Sequence, residues 1–306
     1  MLFIRKESVK THGETVETKG IRFFQTILIC LLIIVTFLGG WMEISHSFYQ
    51  AMAHGAIEIE GVKYFRPSLE HFRVLWIVIF AMLYWGAVNW WHGHKWQSEE
   101  GGVIVYMISA VIALTYLMGA PVELGELREA YLYPDPESLF QPSIWHLLIR
   151  YVSYAALGGL LFGVWSSAKQ TIHTPRFRML IEVSLYVVGA VILLLEAKHI
   201  YLLTVIESQV PAATDLMYRV GYSILLGMYA LAVVGVGFWR EKAYLRIGGM
   251  ALLGTVLLKV LLHDMREASL GNKTVVFVAL GILLLITAFL YQRFQKEEKS
   301  EAGKEE

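Results

Sequence analysis

Long apolar stretches, each the length of a membrane span, recur along this chain and constrain its fold more than any other feature. The first, FFQTILICLLIIVTFLGGWM from Phe23, contains no charged residue. A helix of about 20 apolar residues is long enough to cross the hydrocarbon core of a bilayer. Only 17% of the 306 residues are charged, and the mean hydropathy is +0.53. These values indicate a polytopic membrane protein and argue against a soluble globular core.

The apolar runs predict eight spanning helices, and hence an all-α membrane helix bundle. The predicted spans are residues 23–42, 72–91, 102–121, 144–165, 177–195, 218–239, 247–263 and 274–292. The first run is too long for the apolar core of a signal peptide, and no small-residue cleavage site follows it. We therefore expect it to remain as a spanning anchor.

The distribution of lysine and arginine predicts the orientation. An even number of spans places both termini on one side, and that side carries about twice as many Lys and Arg residues as the other. Positive loops stay in the cytoplasm, so we expect a cell (inner) membrane protein with both termini cytoplasmic. The long outer loops would be residues 43–71, 121–143, 196–217 and 264–273. The prolines of EAYLYPDPESLFQP, in the second of these loops, should prevent a continuous helix there.

One polar motif occurs twice, each time after an apolar run, and suggests an internal duplication. Glu43 and His46 follow the first apolar run, and Glu196 and His199 follow the fifth in the same Glu-x-x-His spacing. Four spans per copy would insert both copies in the same sense, giving a tandem, parallel repeat. The predicted divisions are a cytoplasmic segment 1–22, repeats 23–168 and 177–293, and a disordered cytoplasmic tail 294–306.

The C-terminal third resembles a known bacterial family. The stretch WREKAYLRIGGMALLGTVLLKVLLHDMREASLGNKTVVFVALGILLLITAFLYQRF contains an Arg246-x-x-Gly249 opening, a Leu-Lys259-x-x-Leu-x-Asp264 segment and a closing Leu-Tyr-Gln-Arg. It is similar to the end of the multi-pass predicted membrane proteins of domain-of-unknown-function family 2339. The resemblance covers the C-terminal third of the chain and the segments just before it. It implies a bacterial cell membrane and no particular activity.

The duplicated Glu-His pairs are the first candidates for chemistry. Residues three apart share a helix face, so each pair presents a carboxylate and an imidazole together. Two Glu-x-x-His motifs can build a dinuclear metal site in a helical bundle. Further ligands would come from predicted outer-side residues, namely His54, His71, His146, His263, Asp264 and Glu267. The alternative is that the pairs cap and hydrogen-bond helix ends at the water boundary and hold the two repeats together. A metal ion is therefore the one cofactor that the sequence suggests.

Charged residues near span ends form the second group of candidates. Lys259 lies inside the seventh predicted span, where a charge is costly and marks function by default. An ion pair with Glu196 or Asp264 would neutralise it. Glu182, at the start of the fifth span, is expected to pair with Arg178 one turn earlier. The predicted outer-face cluster consists of Glu43, His46, Glu196, His199, Lys259, His263, Asp264, Arg150 and Arg219.

The sequence leaves four functions open. The first is binding of an anionic or lipid-linked envelope component at the outer face, by the cluster just described. The second is a small-solute or proton-coupled transporter that uses Lys259 with Glu196. The third is a metal-dependent membrane enzyme built on the paired Glu-x-x-His motifs. The fourth is a non-catalytic scaffold subunit. The expected partner in every case is the lipid bilayer, and the chain has no basic stripe for nucleic acid.

Overall fold

The computed structural model describes residues 16–96, 99–134, 139–171, 174–204 and 216–260, together with scattered helical positions between 274 and 292. Seven α-helices are described. They are α1 Val16–His54, α2 Ser68–Trp91, α3 Glu99–Leu132, α4 Trp145–Thr171, α5 Pro175–Thr204, α6 Leu216–Trp239 and α7 Ala243–Lys259. A short π-helical segment, His92–Trp96, follows α2.

Six of these helices, α1 to α6, are long and apolar enough to cross a membrane. The seventh predicted span corresponds to α7, which has 17 residues. Every described position between Thr274 and Gln292 is helical. An all-α, multi-pass membrane fold is therefore present, whereas eight spans and a repeat remain predictions. The many exposed large apolar side chains, such as Met118 at 79% exposure, suit contact with lipid chains.

The helices before two predicted outer loops, 43–71 and 196–217, are longer than expected, so these loops begin later. The helix α1 continues through Glu43 and His46 to His54, and α5 continues through Glu196 and His199 to Thr204. No proline or glycine lies between Glu43 and His54 or between Glu196 and Thr204. Polar residues alone do not stop a helix, because their backbone N–H groups keep bonding four residues back. The predicted loop 43–71 is consequently helical as far as His54.

The loop predicted at 121–143 is also shorter than expected. Pro121 lies inside α3, which runs on to Leu132. A proline removes one backbone hydrogen bond and costs about 3 kcal/mol within a helix. Leu124 and Leu127, which follow it, are 3% and 0% exposed, and burial of two leucines offsets a cost of that size. The helix does end before Pro134, as the cluster of prolines predicted.

A small β-hairpin between α1 and α2 departs from the all-α expectation. Strands β1 Ile57–Ile59 and β2 Val62–Tyr64 pair antiparallel. Glu60 and Gly61, the two residues that join them, have φ of 51° and 80°. Positive φ at both positions gives the turn twist that matches right-handed strands.

The chain divides into two compact units. Unit 1 comprises Met1–Trp96 and Glu100–Val164, and unit 2 comprises Gln97–Glu99 and Trp165–Glu306. The boundary falls inside α4. Whether the two units are copies of one repeat stays a prediction.

Glycines bring α2 and α4 into backbone contact in unit 1. A Cβ atom added to Gly163 would lie 2.4 Å from the carbonyl oxygen of Gly86, and one added to Gly86 would lie 3.0 Å from that of Gly159. Gly159 and Gly163 are four residues apart, which puts both on one face of α4. Close packing of small residues stabilises helix pairs in membranes, where lipid competes with every apolar contact.

Polar contacts tie the other helices of unit 1 together. Tyr84 of α2 donates to the carbonyl of Ile33 at 2.8 Å, and its oxygen lies 2.7 Å from the Thr36 hydroxyl of α1. Between α2 and α3, Asn89 donates to the Ser109 hydroxyl at 2.7 Å. Between α3 and α4, the hydroxyls of Tyr116 and Ser153 lie 2.9 Å apart. These contacts fix the register of the helices against one another. Leu75, Ile79 and Met82 fill the interior of the unit.

Unit 2 packs α5, α6 and α7 through tyrosines and glycines. Tyr229 of α6 donates to the carbonyl of Tyr186 at 2.6 Å, and Tyr222 donates to the carbonyl of Leu194. A Cβ atom on Gly249 of α7 would lie 3.0 Å from the carbonyl oxygen of Ala230. Small residues at this position therefore let α6 and α7 approach closely.

We expect Tyr229→Phe to destabilise the protein by about 1 kcal/mol, because it removes one interhelical hydrogen bond and leaves the packing unchanged. Denaturant unfolding in mixed micelles would measure the loss. Tyr64→Phe, on the exposed hairpin (45% exposed), serves as the control and should unfold like wild type. Equal stability of Tyr229→Phe and wild type would show that the bond contributes nothing.

Candidate anion-binding site

The two Glu-His pairs lie in different units and differ in burial. Glu43 and His46 are exposed on α1, where His46 Nε2 lies 2.9 Å from Gln50 Nε2. On α5, Glu196 is half-buried and His199 is 1% exposed. Burial of His199 places its side chain in the interior of unit 2. Whether the pairs have a structural role stays a prediction. A contact between the two pairs stays a prediction.

The described residues contain no group of three or more His, Cys, Asp or Glu side chains placed to hold a metal ion. Among the additional ligands that the sequence suggested, His71 binds Glu123 at 2.6 Å between α2 and α3. His146 is 6% exposed, with its ring against Phe72. His263, Asp264 and Glu267 lie outside the described residues. The metal site accordingly stays a prediction.

The remaining members of the predicted cluster are spread over both units. Lys259, at the end of α7, donates to the buried hydroxyl of Ser223 on α6 at 2.7 Å. The sequence also predicts an ion pair of Lys259 with Glu196 or Asp264. That ion pair stays a prediction, because Asp264 lies outside the described residues. Arg219 lies on α6 at a position whose side chain is outside the described part.

Arg150 is buried, and it interacts electrostatically with a second buried arginine. Arg150 on α4 is 5% exposed, and Arg128 near the end of α3 is 7% exposed. The two like charges interact electrostatically. Both residues belong to unit 1. They lie on the same side of the Tyr116–Ser153 contact between α3 and α4. We call Arg128 and Arg150 the arginine pair.

The neighbours of the arginine pair neutralise little of its charge. Arg150 donates to the Tyr154 hydroxyl at 3.2 Å. Arg128 lies 3.6 Å from Glu129, whose side chain is 62% exposed, so water screens the carboxylate charge of this ion pair. Among the residues that the structure describes, no other ion pair reaches either guanidinium. Among the described residues, the two buried arginines therefore have one countercharge, the solvent-facing carboxylate of Glu129.

A cavity of about 210 Å³ lies at the same end of unit 1. It is lined by Arg66, Tyr133, Phe140 and His146, among others. His146 is one helical turn from Arg150 on α4, and Tyr133 interacts electrostatically with Arg128. The Arg66 guanidinium lies 5.4 Å from the centre of the Phe140 ring. The cavity therefore places another cation, Arg66, at the same end of unit 1 as the arginine pair.

A different polar cluster occupies one end of unit 2. The carboxylate of Glu182 on α5 is 8% exposed and binds Arg240 at 3.1 Å and Lys242 at a shorter distance. The hydroxyl of Tyr244 also donates to it. Its main partners come from the turn between α6 and α7, and not from its own helix at Arg178 as expected. This cluster joins α5 to the start of α7.

The charge of Glu182 also changes the titration of its partners. Burial lowers the pKa of Lys242, but the hydrogen bonds to Glu182 and Tyr244 and the carboxylate charge outweigh it, so the pKa is raised above its ordinary value. Burial, followed by the hydrogen bond to Glu182, raises the pKa of Tyr244. Both groups therefore stay protonated at neutral pH and donate to the carboxylate.

Sequence reasoning missed Arg128 because it assigned the residue to a loop. A signal was present, since Ala120, Leu124 and Leu127 precede Arg128 at helical spacing and form one apolar face. Reading that periodicity past Pro121 would have placed Arg128 at the edge of a buried face. The partners of Glu182 lie 58 and 60 residues away in sequence, and no local pattern identifies them.

The long apolar helices, close glycine contacts and buried interhelical hydrogen bonds define an all-α polytopic membrane protein. The chain belongs to the DUF2339 family of predicted membrane proteins, which matches residues 9–294. The match includes the first half of the chain, so it is wider than the C-terminal resemblance alone. No curated protein and no solved structure matches the chain.

Proposed function

We propose that unit 1 binds the anionic headgroup of a lipid-linked envelope component, with Arg128 and Arg150 as its ligands. The observation that carries this proposal is the burial of two arginines, Arg128 and Arg150, which are 7% and 5% exposed and interact electrostatically. Among the described residues, one solvent-facing carboxylate pairs with them. A buried charge costs several kcal/mol unless a counterion neutralises it. An anionic ligand would supply that counterion.

The chemistry of arginine favours phosphate as the anion. A guanidinium offers five N–H donors in a planar fork and binds phosphate oxygens in bidentate fashion. Two such groups side by side suit a phosphate or diphosphate, whose charge exceeds that of one carboxylate. The location suits a lipid-linked ligand, because both residues lie near helix ends, at the depth where lipid headgroups meet the hydrocarbon. In the predicted orientation this is the outer face.

Farnesyl diphosphate, a short polyprenyl diphosphate, tests the proposal in purified full-length protein. We expect saturating ligand to raise the Tm of wild type by about 5 °C, since a ligand that binds only the folded state stabilises it by mass action. Farnesol, which lacks the anion, should leave the Tm unchanged. The variant Arg128→Gln/Arg150→Gln should show no shift with either compound.

Two further variants serve as a control for surface charge and as a replacement if the glutamine variant does not fold. Lys63→Gln/Lys95→Gln removes two surface cations of unit 1 and should respond like wild type. If the glutamine variant does not fold, Arg128→Lys/Arg150→Lys retains the charge but loses the bidentate geometry, and we expect its shift to fall to about half. An equal Tm shift in wild type and in the folded arginine variants would overturn the proposal.

A further inference from the structure

A basic cavity of about 360 Å³ lies within unit 2, beside the Glu182 cluster. Its charged lining consists of Lys169, Arg178, Arg240, Lys242 and Glu182. Four cations thus face one carboxylate, which already binds Arg240 and Lys242. Trp165 and Ile181 supply apolar walls. The cavity keeps a positive excess even when the Glu182 cluster is fully formed.

Helix ends converge on this cavity. The end of α4 contributes Trp165 and Lys169, the first turns of α5 contribute Arg178 and Ile181, and the turn after α6 contributes Lys242. The Lys169 ammonium lies 3.4 Å from the centre of the Trp165 ring, a cation–π contact that holds it at the rim. The cations are therefore at headgroup depth, at the helix end that the predicted orientation places in the cytoplasm.

We infer that this cavity binds the phosphate headgroup of an anionic phospholipid, with Lys169, Arg178, Arg240 and Lys242 as its cationic lining. Basic pockets between spanning helices are typical headgroup sites. This inference is independent of the proposed function, since it concerns the other unit of the chain and different residues.

The surroundings favour a lipid over free phosphate. Leu180, two residues after Arg178, is 57% exposed, and Trp239, beside Arg240, is 84% exposed. Exposed apolar side chains next to the cations provide a surface for acyl chains, and tryptophan is enriched at the level of the headgroups. A free anion would gain nothing from this apolar rim.

Native mass spectrometry of the full chain, exchanged into micelles with equal phosphatidylglycerol and phosphatidylcholine, tests the inference. Wild type should retain phosphatidylglycerol preferentially. The variant Lys169→Gln/Arg178→Gln leaves the Glu182 ion pairs in place, and we expect its affinity for phosphatidylglycerol to fall about thirtyfold, from roughly 1 kcal/mol for each cation. The arginine-pair variant of unit 1 should retain the lipid like wild type, which separates this inference from the proposed function.

The control is Arg176→Gln/Lys198→Gln, which removes two exposed charges from α5 outside the cavity lining. Its lipid retention should match wild type within about twofold. Equal losses in the control and cavity variants would mean unspecific charge attraction and would overturn the inference. So would displacement of phosphatidylglycerol from wild type by inorganic phosphate at equal concentration, because the site would then recognise the free anion alone.

Discussion

Gly163→Ala should destabilise the protein by about 2–3 kcal/mol, because adding a small group to a tightly packed contact typically costs about 1–3 kcal/mol. The larger side chain of Gly163→Leu should prevent unit 1 from folding. An added Cβ atom would lie 2.4 Å from the carbonyl oxygen of Gly86 and 3.1 Å from its Cα. Both atoms are backbone, so no side-chain rotation relieves the overlap and the helices must separate. Reversible unfolding in mixed micelles, followed by circular dichroism, measures the change.

A neighbouring glycine on the same helix gives the matched control. A Cβ atom on Gly158 would meet nothing within 4 Å. Gly158→Ala should therefore be neutral or stabilise by about 0.5–1 kcal/mol, because alanine loses less backbone entropy than glycine in a helix. The two substitutions thus have opposite expected signs. Equal effects from both would contradict close packing of α2 on α4.

Glu182→Gln should cost about 2 kcal/mol and loosen the junction of α5 with the turn before α7, because removing one partner of a fully buried ion pair costs about 3–5 kcal/mol. We expect a lower figure here because the side chains of Arg240 and Lys242 are 46% and 34% exposed, and water screens the charges left behind. Thermal unfolding, combined with hydrogen exchange of the segment 240–246, measures both effects.

Glu241→Gln provides the comparison for this experiment. Glu241 is exposed and lies in the same turn, so its substitution changes the net charge equally without touching the buried carboxylate. We expect its stability to lie within about 0.5 kcal/mol of wild type. If Glu241→Gln lost as much stability as Glu182→Gln, the change in net charge would explain the effect, and the buried cluster would not.

The apolar runs predicted the six helices, α1 to α6, that are long and apolar enough to cross a membrane, because composition over the length of a span reports directly on transfer into lipid. The seventh and eighth spans stay predictions. The sixth predicted span, 218–239, shares its end with α6 and begins one half-turn later. The predicted ends of α1, α3 and α5 were wrong, since polar residues and an internal proline were interpreted as loop signals. Helix termination depends on what packs against the last turns, and that information is not local.

The candidate site was predictable only in part. Arg150 was included in the predicted cluster because it lies near the outer end of the fourth predicted span, where an anionic ligand or lipid headgroup would lie. Its neighbour Arg128 lies on a different helix, and their proximity follows from how α3 packs against α4. Likewise, Glu182 was noticed as a charge in a span, but its partners depend on the turn between α6 and α7. In both clusters, contacts between helices that are distant in sequence determine which side chains meet.

Electron microscopy of the full chain with a bound antibody fragment tests the proposed anion site by showing what lies between the two arginines. We expect density that is not protein between the guanidinium groups of Arg128 and Arg150, within hydrogen-bonding distance of both. The connecting segment carries Asp135 and Glu137. A carboxylate of either residue in that position, with no ligand density, would mean that the chain neutralises its own arginine pair, and it would contradict the proposed anion site.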